Sequence, residues 1–104
     1  MAVVRVSRHA DRRVRERTGV PRSAVKKMAA RARAEGVHRL DTHGSLRRYL
    51  DALYHYNEEA DNIVVYAEKV WIFSGTTLIT VLDLHQRYKK RANGMKKKGE
   101  ESNG

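Results

Sequence analysis

Three residues near the start of the chain have side chains and a spacing that suit chemistry on a phosphate. His9, Arg13 and Arg17 recur every four residues, and on a helix such positions share one face, about 6 Å apart. Arginine binds a phosphate through two parallel hydrogen bonds, and histidine transfers protons near neutral pH. RNA cleavage by transesterification needs a base for the 2′-hydroxyl, cations for the charged phosphorane and an acid for the leaving oxygen. The same spacing also fits an ordinary solvated helix face.

Seven further side chains suit contact with nucleic acid. They are Arg12, Arg47, Arg48, Tyr66, Trp71, Lys89 and Lys90. The cations can hold phosphates, and an aromatic ring that stacks on a base contributes ~1–3 kcal/mol. Other interpretations stay open, because Arg47 and Arg48 also fit a solvated helix face and aromatic residues of a small sheet also fit a core. His85 is either a second proton-transfer group or a loop residue without a role.

Metal and cofactor chemistry have no support in the sequence. The histidines at 38, 43 and 55 have no metal-ligand spacing with one another or with a carboxylate, and the chain has no cysteine. Structural and catalytic zinc sites are built from such groups at short, regular spacings. We therefore expect no metal site and no cofactor.

The elements that position these residues centre on three short predicted strands, at 63–67, 70–73 and 78–82. All three are dense in β-branched and aromatic residues. Gly75-Thr76 fits a two-residue type II′ turn, and Glu68-Lys69 has a suitable length for the other turn. Two-residue loops fix the register of the strands that they join. One face is then aliphatic and predicted to be core, whereas the other, with Tyr66, Trp71 and Thr80 in one row, is either a second core or a working surface.

Helices are predicted before these strands. The first covers residues 8–18, with Ser7 as its N-cap and Gly19 as its end. The second opens at Pro21 and ends at Gly36.

A loop at 37–44 leads to a third helix, which Ser45 caps and whose apolar positions share one face. A short strand at 3–6 is an optional addition to the sheet. The predicted fold class is α+β: two to three N-terminal helices followed by a three- to four-stranded antiparallel meander.

Length and composition narrow the class of protein. The 104 residues suit a single domain, placed at 1–91, followed by a basic disordered tail at 92–104. The N-terminal residues lack the apolar run of a signal peptide, and no stretch approaches the roughly 18 apolar residues of a membrane span. The sequence thus predicts a soluble cytoplasmic protein without a membrane partner.

The net charge of +10 is unevenly distributed along the chain. Residues 1–39 carry 12 Lys/Arg against 3 acids, residues 40–86 carry 3 against 7, and residues 87–104 carry 7 against 2. Asymmetry of this size predicts a polyanionic partner. RNA or DNA is the first expectation, with anionic lipid or an acidic protein as the alternatives.

The segment from His9 to Val20 resembles the opening of a group of small bacterial toxin domains. Their pattern is His-Ala-x-x-Arg-apolar-x-x-Arg-Gly-apolar, and the chain reads His-Ala-Asp-Arg-Arg-Val-Arg-Glu-Arg-Thr-Gly-Val. These are metal-independent ribonucleases of the barnase–EndoU–colicin–RelE group, in which N-terminal helices precede a curved antiparallel sheet that holds the active site. The chain departs from the pattern at Thr18, which is inserted between Arg17 and Gly19.

The resemblance implies a site as well as a fold. Leu78-Ile79-Thr80-Val81 is similar to the late strand of these domains, where a threonine or serine joins the site. The catalytic residues implied are His9, Arg13, Arg17 and Thr80. The His-Ala opening and the Leu-Ile-Thr-Val ending also resemble proteins of phages and mobile elements.

Two functions from different classes fit these observations. The first is a metal-independent endoribonuclease of toxin type, with RNA as substrate and a cognate antitoxin as a possible protein partner. The second is a non-catalytic phage or mobile-element protein that binds nucleic acid, or a host complex that handles it, and inhibits it. A regulator of its own operon is a third, although no clear helix-turn-helix is present. Only the enzyme needs a proton-transfer group organised by its neighbours.

Overall fold

The computed structural model describes residues 4–57 and 60–94, and these form four helices and five strands. The elements are β1 (Arg5–Val6), α1 (Arg8–Thr18), α2 (Arg22–Glu35), β2 (Val37–His38), a 3₁₀ turn (Arg39–Asp41), α3 (Gly44–Tyr56), β3 (Asn62–Tyr66), β4 (Lys69–Ser74), β5 (Thr77–Asp83) and α4 (Gln86–Gly94). The predicted α+β class and the order of helices before the main strands are confirmed. In these residues no helix is long and apolar enough to cross a membrane.

The sheet is larger than predicted, and it is mixed. Its strand order is β1-β5-β4-β3-β2, with antiparallel pairing everywhere except between β1 and β5, which are parallel. The expected three- to four-stranded, purely antiparallel sheet is therefore wrong in both respects. β2 lies where a loop was predicted, because two residues are too few for an alternating pattern to show.

The first hairpin turns one residue earlier than predicted. Ala67 and Glu68 form the turn, with φ of 51° and 60°, and Tyr66 pairs with Lys69. Asparagine and glycine are the usual residues at such positive φ angles, so Ala-Glu carries no turn signal in the sequence. The second turn is confirmed at Gly75-Thr76, where Gly75 has the positive φ of 60° that a type II′ turn requires.

A β-bulge in β5 changes the register further. Phe73 pairs with Leu78, but Ile72 pairs with Thr80, so Ile79 is left without a partner. Trp71 then lies opposite Val81 instead of Thr80. The predicted row of Tyr66, Trp71 and Thr80 is wrong, because the earlier turn pairs Tyr66 with Lys69 and the extra residue in β5 moves Thr80 away from Trp71.

Both faces of the sheet are covered by helices. α1 and α2 pack on the face with Val64, Trp71 and Phe73, while α3 and α4 pack on the aliphatic face with Ile63 and Ile72. The aliphatic core is confirmed, and the aromatic face is a second core. Trp71 is completely buried, with its indole N–H donating to the Tyr66 carbonyl at 2.9 Å. Base stacking on Trp71 is thus ruled out in this fold.

The ends of α1 follow the sequence, whereas those of the other helices differ. The Ser7 hydroxyl accepts a hydrogen bond from the Ala10 amide at 3.1 Å, and Gly19 ends the helix at a φ of 75°. Pro21 is the N-cap of α2 instead of its first residue. α3 begins at Gly44 without any side-chain cap, so the predicted Ser45 cap is wrong.

The last helix extends beyond the predicted start of the tail. α4 runs to Gly94, and Ala92 is 7% exposed and packs in the aliphatic core. A single small side chain gives little signal in a basic sequence, so the composition places the start of the tail at residue 92. The rest of the predicted tail, with the lysines at 96–98, lies outside the described residues.

Candidate functional site

His9 and Thr80, which are 71 residues apart in sequence, are in direct contact. His9 Nε2 lies 3.2 Å from Thr80 Oγ1, and the His9 side chain is exposed. Two hydrogen bonds from Ser7 to β5 fix this geometry. The Ser7 amide donates to the Leu78 carbonyl at 3.1 Å, and the Ser7 hydroxyl donates to the Ile79 carbonyl at 3.4 Å. The start of α1 is therefore tied to β5 at the bulge, where Thr80 can reach the imidazole.

The contact between His9 and Thr80 suits proton transfer. With the proton on Nδ1, Nε2 accepts a hydrogen bond from the threonine hydroxyl, and with the proton on Nε2 the ring donates to the same oxygen. A substrate hydroxyl that displaces the Thr80 hydroxyl would meet a ring nitrogen able to accept its proton. Geometry of this kind is the first requirement for a general base.

The two arginines that share the α1 face with His9 have different surroundings. Arg17 Nη1 lies 2.6 Å from Asp83 Oδ2, and its Nε is buried with no hydrogen-bond partner in the described part of the chain. Among residues 4–57 and 60–94, Arg13 has only a long contact of 3.8 Å to Glu16, and 41% of its side chain is exposed. Arg13 is consequently the one with a guanidinium open to a phosphate, while Arg17 is held by the end of β5.

Asp83 is a residue that the sequence interpretation missed. Its carboxylate also binds Lys69 Nζ at 3.0 Å, so one acid joins β4, β5 and the last turn of α1. The hydrogen bond from Lys69 is the main cause that holds the pKa of Asp83 below its usual range; burial opposes it, and the charges of Lys69 and Arg17 lower the pKa further. The sequence around Asp83 gives no sign that it joins these elements, because its partners Arg17 and Lys69 are distant in the chain.

The other predicted nucleic-acid contacts are not gathered beside His9. Arg47 and Arg48 lie on α3, and Lys89 and Lys90 on α4, so they belong to helices on the opposite face of the sheet. Arg12 lies on α1 and is exposed.

Some of the predicted nucleic-acid contacts already have a partner within the protein, and others are exposed to solvent. Arg47 binds Asp51 at 2.9 Å, and Arg39 binds the same carboxylate at 2.6 Å. These two hydrogen bonds, that of Arg39 first, lower the pKa of Asp51. Arg48 is exposed, while Tyr66 is half-buried and packs edge-on against Trp71.

A cleft lies at the end of β5, three residues beyond Thr80. It has a volume of about 620 Å³, and its walls include Asp83, His85 and Arg87 together with the stacked rings of Tyr49 and Tyr88, whose centroids are 5.1 Å apart. Burial, and secondarily Tyr88, raises the pKa of Tyr49. His85 Nδ1 accepts the Arg87 amide at 3.1 Å, so the neutral ring carries its proton on Nε2.

The comparisons with known proteins leave the site to be interpreted from its own geometry. No family model matches the chain, and neither the curated proteins nor the solved structures include a significant match. Within the described ranges, no cluster of three His, Cys, Asp or Glu side chains could hold a metal ion. The functional interpretation therefore depends on His9, Thr80 and the cations around them.

Proposed function

We propose that this chain is a metal-independent endoribonuclease whose reacting groups are His9, Thr80 and Arg13. The observation that carries the proposal is the 3.2 Å contact between His9 Nε2 and Thr80 Oγ1. It joins the two segments whose sequences resemble ribonuclease toxins, on an exposed surface near Arg13, whose contact with Glu16 is long at 3.8 Å. These residues are 71 positions apart in sequence, so it is the fold of the chain that brings the two segments into contact.

The chemistry assigns one step to each group. His9 Nε2 takes the proton of the RNA 2′-hydroxyl, and the 2′-oxygen attacks the adjacent phosphorus. The bond to the 5′-oxygen breaks, that oxygen takes up a proton from the imidazolium or from water, and a 2′,3′-cyclic phosphate remains. Arg13 stabilises the charged phosphorane through paired hydrogen bonds. The Thr80 hydroxyl positions the imidazole before substrate binds; when the 2′-hydroxyl takes its place on Nε2, the threonine donates its one proton to the reacting phosphate instead.

Arg17 has a positioning role in this mechanism. Its contact with Asp83 anchors the last turn of α1 to β5, as Ser7 anchors the first turn. Both ends of the helix are then fixed relative to Thr80. A misplacement of the catalytic face by 1 Å can cost about 10²-fold in rate, so Arg17 affects catalysis without touching the phosphate.

Incubation of the purified protein with a structured RNA in EDTA tests the proposal. The wild-type protein should produce discrete fragments, and a DNA of the same sequence should stay intact because it has no 2′-hydroxyl. His9→Ala should slow cleavage by about 10²–10⁴-fold, the usual contribution of a general acid or base, with little loss of RNA affinity. His55→Ala is the matched control, since this histidine is exposed on α3. Equal loss of cleavage in both variants would contradict the assignment.

A non-catalytic inhibitor that binds nucleic acid is the second candidate. It is favoured by the composition of α1, where five arginines accompany a single histidine, so charge exceeds proton-transfer capacity. In that case RNA stays intact with the wild-type protein and His9→Ala has no effect. Charge reversal of Arg13 and Arg17 together would then abolish inhibition.

A further inference from the structure

A groove between α1 and α2 has a concentration of positive charge that the proposed reaction does not use. Its volume is about 460 Å³, within the ~300–1,000 Å³ range of ligand sites. None of His9, Arg13 and Arg17 lines it. The cations on its walls are Arg8, Arg12, Arg15, Arg22 and Lys26.

The charges of the groove are largely unneutralised. Asp11 is the one acid among its lining residues, and it binds Arg15 Nη2 at 3.0 Å. The other four cations have no acidic partner within 4.0 Å among residues 4–57 and 60–94. Four like charges around one concavity raise the local potential and attract an anion with several charges.

We propose that this groove binds the phosphodiester backbone of single-stranded RNA and delivers it to the His9–Thr80 site. Delivery of the RNA to the His9–Thr80 site rests on the proposed function. Binding of RNA in the groove does not. Arg12 lines the groove and follows His9 by three residues on α1, a spacing at which helix side chains are neighbours. A backbone that leaves the groove at Arg12 therefore passes the imidazole.

An anionic membrane fits the groove less well than a nucleic acid does. A helix that lies on a bilayer inserts an apolar face between the lipids. The apolar positions of α1, Ala10 and Val14, are completely buried in the core and cannot do so. A concave and polar surface with cations on two walls matches a flexible chain of phosphates better than a flat headgroup layer.

Two matched double variants on α2 test the groove. Arg22→Ala/Lys26→Ala removes two groove cations, and Lys27→Ala/Arg31→Ala removes the same charge from exposed positions that do not line it. Affinity is measured by fluorescence anisotropy with a 2′-O-methyl RNA, which is not cleaved because its methylated 2′-oxygen cannot attack the phosphorus. Each lost contact lowers the salt slope by ~0.7 for a single strand. The groove variant should thus lose ~1.4 in slope and bind about 25-fold more weakly at 0.1 M salt, with the control close to wild type.

Lysine acylation of the wild-type protein gives a second measurement that does not depend on folded variants. Lys26 and Lys27 are neighbours and both are exposed, but only Lys26 lines the groove. Bound 2′-O-methyl RNA should protect Lys26 from acylation and leave Lys27 reactive. Equal protection of the two lysines, or equal weakening in both double variants, would overturn the proposal in favour of diffuse attraction by net charge.

The outcomes separate the groove from the proposed reaction. Loss of binding in the groove variant, with no RNA cleavage by the wild type, supports the groove and refutes the ribonuclease. Cleavage with unchanged KM in the groove variant refutes the groove alone. Weaker binding of that variant to phosphatidylserine vesicles, together with unchanged RNA affinity, also overturns the proposal and identifies a membrane as the partner.

Discussion

Replacement of Asp83 by asparagine should destabilise the chain and loosen α1 from β5. The change keeps the shape of the side chain but removes the charge that binds Arg17 at 2.6 Å and Lys69 at 3.0 Å. Hydrogen bonds to charged groups contribute ~1.5–3 kcal/mol when they are shielded, and exposed ion pairs ~0–1 kcal/mol. The Asp83 side chain is 58% exposed and that of Arg17 is 28% exposed. We therefore expect a loss of about 1 kcal/mol, which lowers Tm by ~4–8 °C in a domain of this size.

The pH dependence of this difference identifies its cause. A carboxylate whose pKa is lowered on folding stabilises the folded state above its unfolded pKa of about 3.9, and that stabilisation is lost as pH falls through the lower, folded value. Lys69 and Arg17 lower the pKa of Asp83. The free energy of unfolding should thus differ between wild type and Asp83→Asn by a constant amount near neutral pH. The difference should shrink only below about pH 4.

Urea denaturation at several pH values measures this difference. Glu35→Gln is the control, because it removes the same charge from an exposed pair with a distance of 3.9 Å to Arg31 and should change stability by less than about 0.5 kcal/mol. A difference that vanishes already near pH 6, or that persists undiminished at pH 2, would refute the reasoning, since neither follows from a carboxylate of lowered pKa.

Two further substitutions test the packing that holds the site. Ser7→Ala removes both the N-cap of α1 and the hydroxyl contact to Ile79, and should lower the free energy of unfolding by about 1 kcal/mol. The control is Ser23→Ala, at an exposed serine in α2, which should leave the thermal melt nearly unchanged. Trp71→Ala should cost ~3–5 kcal/mol, because the indole is completely buried. A urea midpoint close to wild type for the Trp71 variant would contradict its place in the core.

The parts of the fold that could be predicted are those with local chemical signals. Ser7 and Gly19 bound α1 because a hydroxyl can cap free amides and a glycine accepts a positive φ. Gly75 marks the second hairpin turn for the same conformational reason. The face composition of the strands was also largely predictable, since alternation along a strand assigns each side chain to one face.

The parts that failed depend on tertiary contacts. The turn at Ala67-Glu68 has positive φ angles without glycine or asparagine, and the bulge at Ile79 leaves no pattern in the sequence. The turn moved Tyr66, and the bulge moved Thr80, out of the predicted row. The resemblance had assigned His9 and Thr80 to one site, but their contact comes from the bulge and from the Ser7 anchor, which no spacing in the sequence reveals.

The central claim is that His9 takes a proton from an RNA 2′-hydroxyl, and a DNA oligonucleotide with one internal ribonucleotide tests it most directly. In EDTA, the wild-type protein should cut only after the ribonucleotide, and mass spectrometry should find a 2′,3′-cyclic phosphate on the upstream product. His9→Ala should reduce the single-turnover rate by about 10²–10⁴-fold, and Thr80→Val should reduce it while Thr80→Ser retains it. An oligonucleotide that stays intact at saturating wild-type protein, or one cut at the same rate by His9→Ala, would contradict the account.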